Sequence, residues 1–370
     1  GNVTSFTETL FTATSAACVT GLAVRDTGSY WSVFGQSVIL LLIQIGGLGV
    51  VTIAVSIAML SGRKISLMQR STMQDAISAP KVGGIVRLTR FILKGTFGIE
   101  LLGALFLLPV FLRDYGGKGI WMALFHSVSA FCNAGFDLLG KTDHLYPSLT
   151  SYVGNPLVNL TIMGLIVIGG IGFLTWDDIY TKKYHCRQYC MQSKVILLTS
   201  LFLIFVPAAF FFFRDFAGMP VKERTLCALF QSVTTRTAGF DALIQNNLTD
   251  LSKAWGTVLM MIGGASGSTA GGVKLGTAVL VIMTLISVLR GKSDVVIHGR
   301  RVAHTTILHA MALLVLWLML VVGGSVLISY IDNQDLINSI YEAASAYSTV
   351  GLSVGVSGSA STFTKILLIV

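Results

Sequence analysis

The chain has 370 residues, of which 53% are hydrophobic and 12% charged, and its mean hydropathy is +0.76. Soluble domains carry about 25% charged residues, so this composition excludes an ordinary soluble enzyme and calls for an integral membrane protein. The formal net charge of +9 then reads as a topology signal rather than as a nucleic-acid footprint.

Spans of about 20 apolar residues mark transmembrane helices. In chain order they are expected near 34–60, 88–112, 155–178, 194–213, 252–288 and 304–330, with a seventh starting near Thr364. The stretch 252–288 is too long for one helix and holds a glycine-serine cluster. Between alternate spans lie shorter segments, among them WMALFHSVSAF and TLCALFQSVTT. At about 12 residues they cannot cross a bilayer and suit re-entrant half-helices, which need protein or a water-filled cavity around them.

Loops 61–94, 182–194 and 290–301 carry 7, 4 and 4 basic residues, against only Asp75, Asp177, Asp178 and Asp294 in or beside them. An excess of Lys and Arg marks the cytoplasmic side, so these loops are expected there. They could meet anionic lipid or an acidic partner. Arg236, Lys274 and Glu100 are left at membrane depth.

The chain repeats itself. Aligned on one glycine, four stretches read TATSAACVTGL, FHSVSAFCNAGF, FQSVTTRTAGF and YEAASAYSTVGL, with Gly21, Gly135, Gly239 and Gly351 separated by 114, 104 and 112 residues. Each has small or hydroxyl residues before the glycine, an apolar residue after it and a long apolar span next. The expected unit is span, half-helix, glycine turn, span. The units are 1–60, 61–180, 181–290 and 291–370, with the first missing its leading span and the last most of its final one. The fold class is therefore an all-α membrane protein with four such repeats around one pseudo-four-fold pore.

Four re-entrant loops can surround one axis. Glycine permits the left-handed backbone that turns carbonyls inward, and rings of carbonyls can replace the hydration shell of a cation. Half-helices would aim their negative C-terminal ends at the path. Asp137 and Asp241 follow two of the Gly-Phe pairs and should concentrate cations at the outer mouth.

Other motifs carry less. GGASGSTAGGVK at 263–274 lacks the Gly-Lys-Ser/Thr that a phosphate loop needs. GGLG at 46–49 and GGIG at 169–172 read as packing glycines. Cys186 and Cys190 stand near His185 without a second ligand pair, so no transition-metal site is expected. His126 and His144 share no ligand spacing, and no catalytic constellation can be placed at one membrane depth. Arg236 occupies the position that holds Cys18, Cys132 and Ser348 in the other stretches. It is expected to point away from a cation path and to donate to carbonyls or a carboxylate. Lys274 is read either as a barrier or counter-charge or as snorkelling to the cytoplasmic interface. Glu100 is expected to have a structural partner.

TSAACVTGL, CNAGF, TTRTAGF, STVGL and GGASGSTAGGVK together resemble the potassium-translocating membrane subunits of bacterial Trk and Ktr systems, relatives of the plant high-affinity potassium transporters. The resemblance covers nearly the whole chain. It implies K+ as the transported ion, no other cofactor, and a bacterial plasma-membrane location. It implies a selectivity filter of backbone carbonyls at Val19, Thr20, Gly21, Asn133, Ala134, Gly135, Thr237, Ala238, Gly239, Thr349, Val350 and Gly351. Glycine in all four loops goes with potassium in that family. The resemblance also implies an intramembrane gate at Gly263, Gly264, Ser266, Gly267, Ser268, Thr269, Gly271 and Gly272, with Lys274 at its inner end. A homodimer and a cytoplasmic ring of nucleotide-binding regulatory subunits are implied as partners, with no nucleic acid. Sodium or non-selective conductance, or a coupled secondary transporter of another solute, are the alternatives.

Overall fold

A computed structural model describes residues 4–60, 68, 71–74, 84–141, 146–292, 294–297 and 299–369. Arg63, Lys64, Arg70 and Lys81 of the expected basic loop, together with His144 and Val370, lie outside the described residues.

The helices fall into four sets. The first holds α1 (Phe6–Ala17), α2 (Thr27–Tyr30), α3 (Val33–Leu48) and α4 (Val50–Leu60). The second holds α5 (Ile85–Tyr115), α6 (Lys118–Phe131), α7 (Pro156–Gly170) and α8 (Phe173–Lys182). The third holds α9 (Met191–Arg214), α10 (Val221–Thr234), α11 (Asp250–Met261) and α12 (Leu275–Leu289). The fourth holds α13 (His304–Asp332), α14 (Leu336–Tyr347), α15 (Val356–Ser359) and α16 (Thr362–Ile369).

Helix starts follow local chemistry. Ser5, Ser32 and Thr249 cap α1, α3 and α11 by accepting from the N–H groups of Glu8, Gly35 and Ser252. Asn155 caps α7 through Leu157 and Val158, and Pro156 fills the first turn, where no N–H is needed. Among the described residues α5, α9 and α13 are each long and apolar enough to cross a membrane, and α7 and α8 together have the length and apolarity of a span but are bent by 96° at their junction. Their outward faces carry Phe97, Leu101, Leu198, Phe202, Leu316 and Met319, all exposed. Such faces suit lipid, because the long helices satisfy their own backbone.

Two expected spans are not single helices. The one at 34–60 breaks at Gly49 (φ 83°) and the one at 155–178 breaks at Gly172 (φ 88°). A helix cannot run through a left-handed φ, and glycine adopts it at no steric cost. The all-α expectation also needs one correction. Strands β1 (Val296–Ile297) and β2 (Arg300–Arg301) pair antiparallel in the basic loop, with Val296 opposite Arg301.

One packing scheme recurs around the molecule. The half-helices α6, α10 and α14 lie against the long helices before them, α5, α9 and α13. Each half-helix also packs on a helix of the neighbouring set. Thus α6 packs on α3, α10 on α7, α14 on α11, and α1 on α16, which closes the circle. The half-helices line the centre. Phe125, His126, Ser127, Ser129 and Ala130 of α6 are fully buried, as are Tyr341, Glu342, Ala343 and Ala344 of α14.

Glu342 fixes the end of this circle. Its carboxylate accepts from Ser353 Oγ at 2.7 Å, Val354 N at 3.2 Å, Ser357 N at 3.0 Å and Ser357 Oγ. Glu342→Gln puts an amide donor among these donors. The loss of charge-assisted bonds should cost about 2 kcal/mol or more. A lowered melting temperature of the detergent-solubilised protein is the expected result, and an unchanged one would count against this role.

Candidate functional site where four glycine loops meet

Three of the four half-helices end in one way at the centre. After α1, Val19 N bonds Ala16 O at 3.2 Å and Thr20 N bonds Ser15 O at 2.8 Å. After α6 the pairs are Asn133 to Ala130 at 3.1 Å and Ala134 to Ser129 at 2.8 Å. After α14 they are Thr349 to Ala346 at 3.0 Å and Val350 to Ser345 at 2.8 Å. This two-bond closure is a Schellman motif, which requires a left-handed residue just past the cap. Glycine is usual there. Here Val19 (φ 59°), Asn133 (φ 57°), Thr237 (φ 62°) and Thr349 (φ 52°) hold that conformation. For L residues it costs roughly 1–2 kcal/mol each, so packing must enforce it. The third loop departs from the motif at Arg236, where Ala238 N bonds Thr234 O at 3.0 Å instead.

Two residues on, the chain turns left-handed again at Gly21 (φ 90°), Gly135 (φ 68°), Gly239 (φ 73°) and Gly351 (φ 92°). Hydroxyls of the half-helices tie these turns down. Ser15 Oγ donates to Leu22 O at 2.7 Å, Ser129 Oγ to Phe136 O at 2.7 Å and Thr234 Oγ1 to Phe240 O at 2.6 Å, while Ser345 Oγ accepts from Gly351 N at 3.1 Å.

The four loops close on one another. A Cβ on Gly21 would lie 2.5 Å from Ala134 O, one on Gly135 2.8 Å from Ala238 O, and one on Gly239 2.5 Å from Val350 O. One on Gly351 would strike Thr20 O. Each glycine thus leaves room for the carbonyl of the residue preceding the glycine in the next loop, and the fourth returns to the first. All twelve residues expected at the path belong to these loops.

A cavity of about 440 Å³ is lined by all four glycines and by Asp26, Asp137 and Asp241. Among the described residues that line it there is no Lys or Arg. Asp137 accepts from Leu139 N at 3.0 Å, and Asp241 Oδ1 has no partner among the described residues. The two expected mouth residues therefore share this cavity. Asp26 joins them, held by Ser29 N at 2.8 Å and Tyr146 N at 3.0 Å.

On the opposite side, the segment 262–274 runs unwound between α11 and α12. Its arms pair through Gly263 N to Val273 O at 3.0 Å and Val273 N to Met261 O at 3.1 Å. Ala265 N reaches Gly170 O at 2.9 Å, and Phe173 N reaches Gly267 O at 2.8 Å. Ser268 Oγ donates to Ala265 O at 2.6 Å. A Cβ on Gly271 would collide with Thr349 Oγ1, and one on Gly272 would lie 3.4 Å from Ser348 O. The segment therefore lies directly against the fourth glycine loop, and Thr269 Oγ1 meets Phe131 O beside the second at 2.9 Å.

The charges at depth find mostly neutral partners. Glu100 Oε1 accepts from Gln44 Nε2 at 3.0 Å and from Cys132 Sγ at 3.9 Å, as a structural partner would. Arg236 Nη2 donates to Ser200 Oγ at 3.1 Å and its Nε has no partner, so among the described residues it reaches a hydroxyl rather than the expected carbonyl or carboxylate. Lys274 Nζ folds back on Ala270 O at 2.6 Å and makes no ion pair among the described residues. Cys186 and Cys190 are exposed free thiols, and among the described residues no three His, Cys, Asp or Glu side chains are grouped for a metal.

Sequence reasoning missed the polar anchors behind the loops. His126 Nε2 accepts from Leu138 N at 3.4 Å, and Gln231 Nε2 donates to Gln245 Oε1 at 2.8 Å. With Glu342 they pin three of the post-glycine segments to their half-helices. A polar residue inside each apolar half-helix was the available signal.

Comparison with known proteins places the chain. Residues 2–370 match the TrkH family model, described as a cation transport protein. The Ktr system potassium uptake protein B of Bacillus subtilis is 37% identical over 99% of this chain and 82% of its own length. The potassium/sodium uptake protein NtpJ of Enterococcus hirae is 34% identical over 100% of this chain and 82% of its own. The crystal structure of the potassium transporter TrkH from Vibrio parahaemolyticus shares the fold at a TM-score of 0.74 and 16% identity, covering 99% of this chain and 75% of that one. With its apolar helices and these relatives, the protein is a multi-pass protein of the bacterial plasma membrane. The chain belongs to the TrkH family of cation transport proteins.

Proposed function

We propose that the protein takes up potassium through a channel-like path whose selectivity filter is the ring of four glycine loops. The observation that carries this reading is the closed cycle in which each glycine makes room for a neighbouring carbonyl. Such a ring offers oxygen ligands in place of an ion's water shell. Four repeats of a span, a half-helix, a filter loop and a span then surround one axis. The half-helices add the negative ends of their dipoles. Asp26, Asp137 and Asp241 raise the local cation concentration at the mouth. The buried hydroxyls Thr237 Oγ1 and Thr349 Oγ1 have no protein partner among the described residues, and a passing cation or water would serve them.

The segment 263–272 is the gate, with Lys274 folded over its inner end. Its support is its position against Thr349 and Ser348 at the inner side of the ring. Glycine in all four loops favours potassium. Sodium or non-selective conductance is the alternative, and the potassium/sodium description of the Enterococcus hirae relative is its support. A homodimer and a regulatory nucleotide-binding ring complete the proposal. Exposed Arg290, Lys292, Arg300 and Arg301 offer that ring a basic surface.

Vesicles containing the purified protein should pass K+ in preference to Na+ in a tracer-flux assay; equal fluxes would remove the potassium assignment. Deleting residues 266–270 should raise the leak while the protein stays folded. Unchanged flux in that variant would remove the gate assignment.

A further inference from the structure

The gate segment touches the second glycine loop through one side chain. Thr269 Oγ1 lies 2.9 Å from Phe131 O and 3.3 Å from Asn133 Oδ1. Phe131 is the last residue of α6, and Asn133 is the left-handed residue of its loop. A hydroxyl has a single proton, which serves the nearer carbonyl. Its oxygen can still accept from Asn133 Nδ2 after a flip of the amide, since the two amide atoms are interchangeable by that turn. Thr269 is 6% exposed and Asn133 1%, so neither group has bulk water as a substitute partner.

Gly169 of α7 completes the junction. A Cβ there would strike Phe131 O and lie 2.7 Å from Thr269 Oγ1 and 3.1 Å from Asn133 Oδ1. The equivalent place in the first set has no such chemistry. There a Cβ on Gly46 would meet the backbone of Ala17 and the methyl Cγ2 of Val19, where the second set has Phe131 O, Thr269 Oγ1 and Asn133 Oδ1. The backbone adds a second tie, because Thr269 N bonds Gly169 O at 3.3 Å. Among the described residues, the second loop is the one whose left-handed residue meets a hydrogen-bonding side chain of the gate segment. Val19 is held by apolar packing and Thr349 by contact with Gly271.

We propose that Thr269 is a positioning residue that latches the gate segment to the second filter loop, so that ion selectivity depends on where the gate lies. The proposal rests on the filter and gate reading above. While the segment is seated, Thr269 holds Asn133 in its left-handed conformation and Ala134 O in the ring. Withdrawal of the segment removes that hold, and the second loop is the first part of the ring to relax. The gate then acts on ion choice as well as on passage.

The test measures K+/Na+ flux ratios in vesicles for T269V, T269S, N133A and the double variant T269V/N133A, with G351A as the filter control. T269V should lower the ratio about fivefold, the weight of one buried hydrogen bond, and T269S should restore it. N133A should lower it similarly. The double variant should be no worse than either single one, because one interaction is lost only once. If G351A loses selectivity while T269V and N133A keep it, the latch is wrong and the filter stands. If the double variant shows the product of two independent losses, the latch is likewise wrong. If none of the variants, G351A included, changes the ratio, the filter reading falls and the latch falls with it. Should T269V fail to fold, T269S and N133A still decide: the latch requires a normal ratio from the first and a reduced one from the second.

Discussion

Everything at the centre of this protein depends on four places where a side chain is missing. At Gly21, Gly135, Gly239 and Gly351 a single added carbon would occupy the space of the next loop's carbonyl. That is a mutual constraint, since each loop is both the host of one carbonyl and the donor of another. The backbone reaches this arrangement through two left-handed residues per loop, one of which is a non-glycine held against its preference. Such strain persists only where the surroundings over-determine it. Here they do so through the Schellman bonds, the half-helix hydroxyls and the close packing of Gly46, Gly169 and Gly271.

Behind the ring a second layer of polar groups ties the loops to the long helices. Cys132 meets Glu100 of α5, Arg236 meets Ser200 of α9, and Ser348 accepts from Trp317 Nε1 of α13 at 2.8 Å. These are equivalent positions on the three loops, filled by different chemistry. Arg236 is the departure. Its charge faces a neutral hydroxyl in a buried site, an expensive arrangement that a larger Coulomb partner would have relieved. Its loop is also the one whose helix end strays from the common motif. The physical consequence is an asymmetric ring in which the third quarter is supported differently from the others.

The repeat was legible in the sequence because it lies in spacing. Four glycines in register with apolar spans mark where the half-helices and the loops fall. The breaks at Gly49 and Gly172 were not legible, since GGLG and GGIG read as packing glycines, a role that Gly46, Gly47 and Gly169 do play. Glu342, His126 and Gln231 were missed for another reason. Their partners lie on segments after the glycine whose path no periodicity describes. Lys274 could not be placed either, because its target is a backbone carbonyl four residues away in an unwound stretch. The two-residue strands in the basic loop are below the length at which alternation can be read.

The most direct test of the ring is an alanine at each of the four glycines in turn, with the K+/Na+ flux ratio read in vesicles. The account predicts that G21A, G135A, G239A and G351A each lose selectivity, because each added carbon displaces one carbonyl of the same ring. A folded, conducting variant at any of the four positions that kept the original ratio would contradict it.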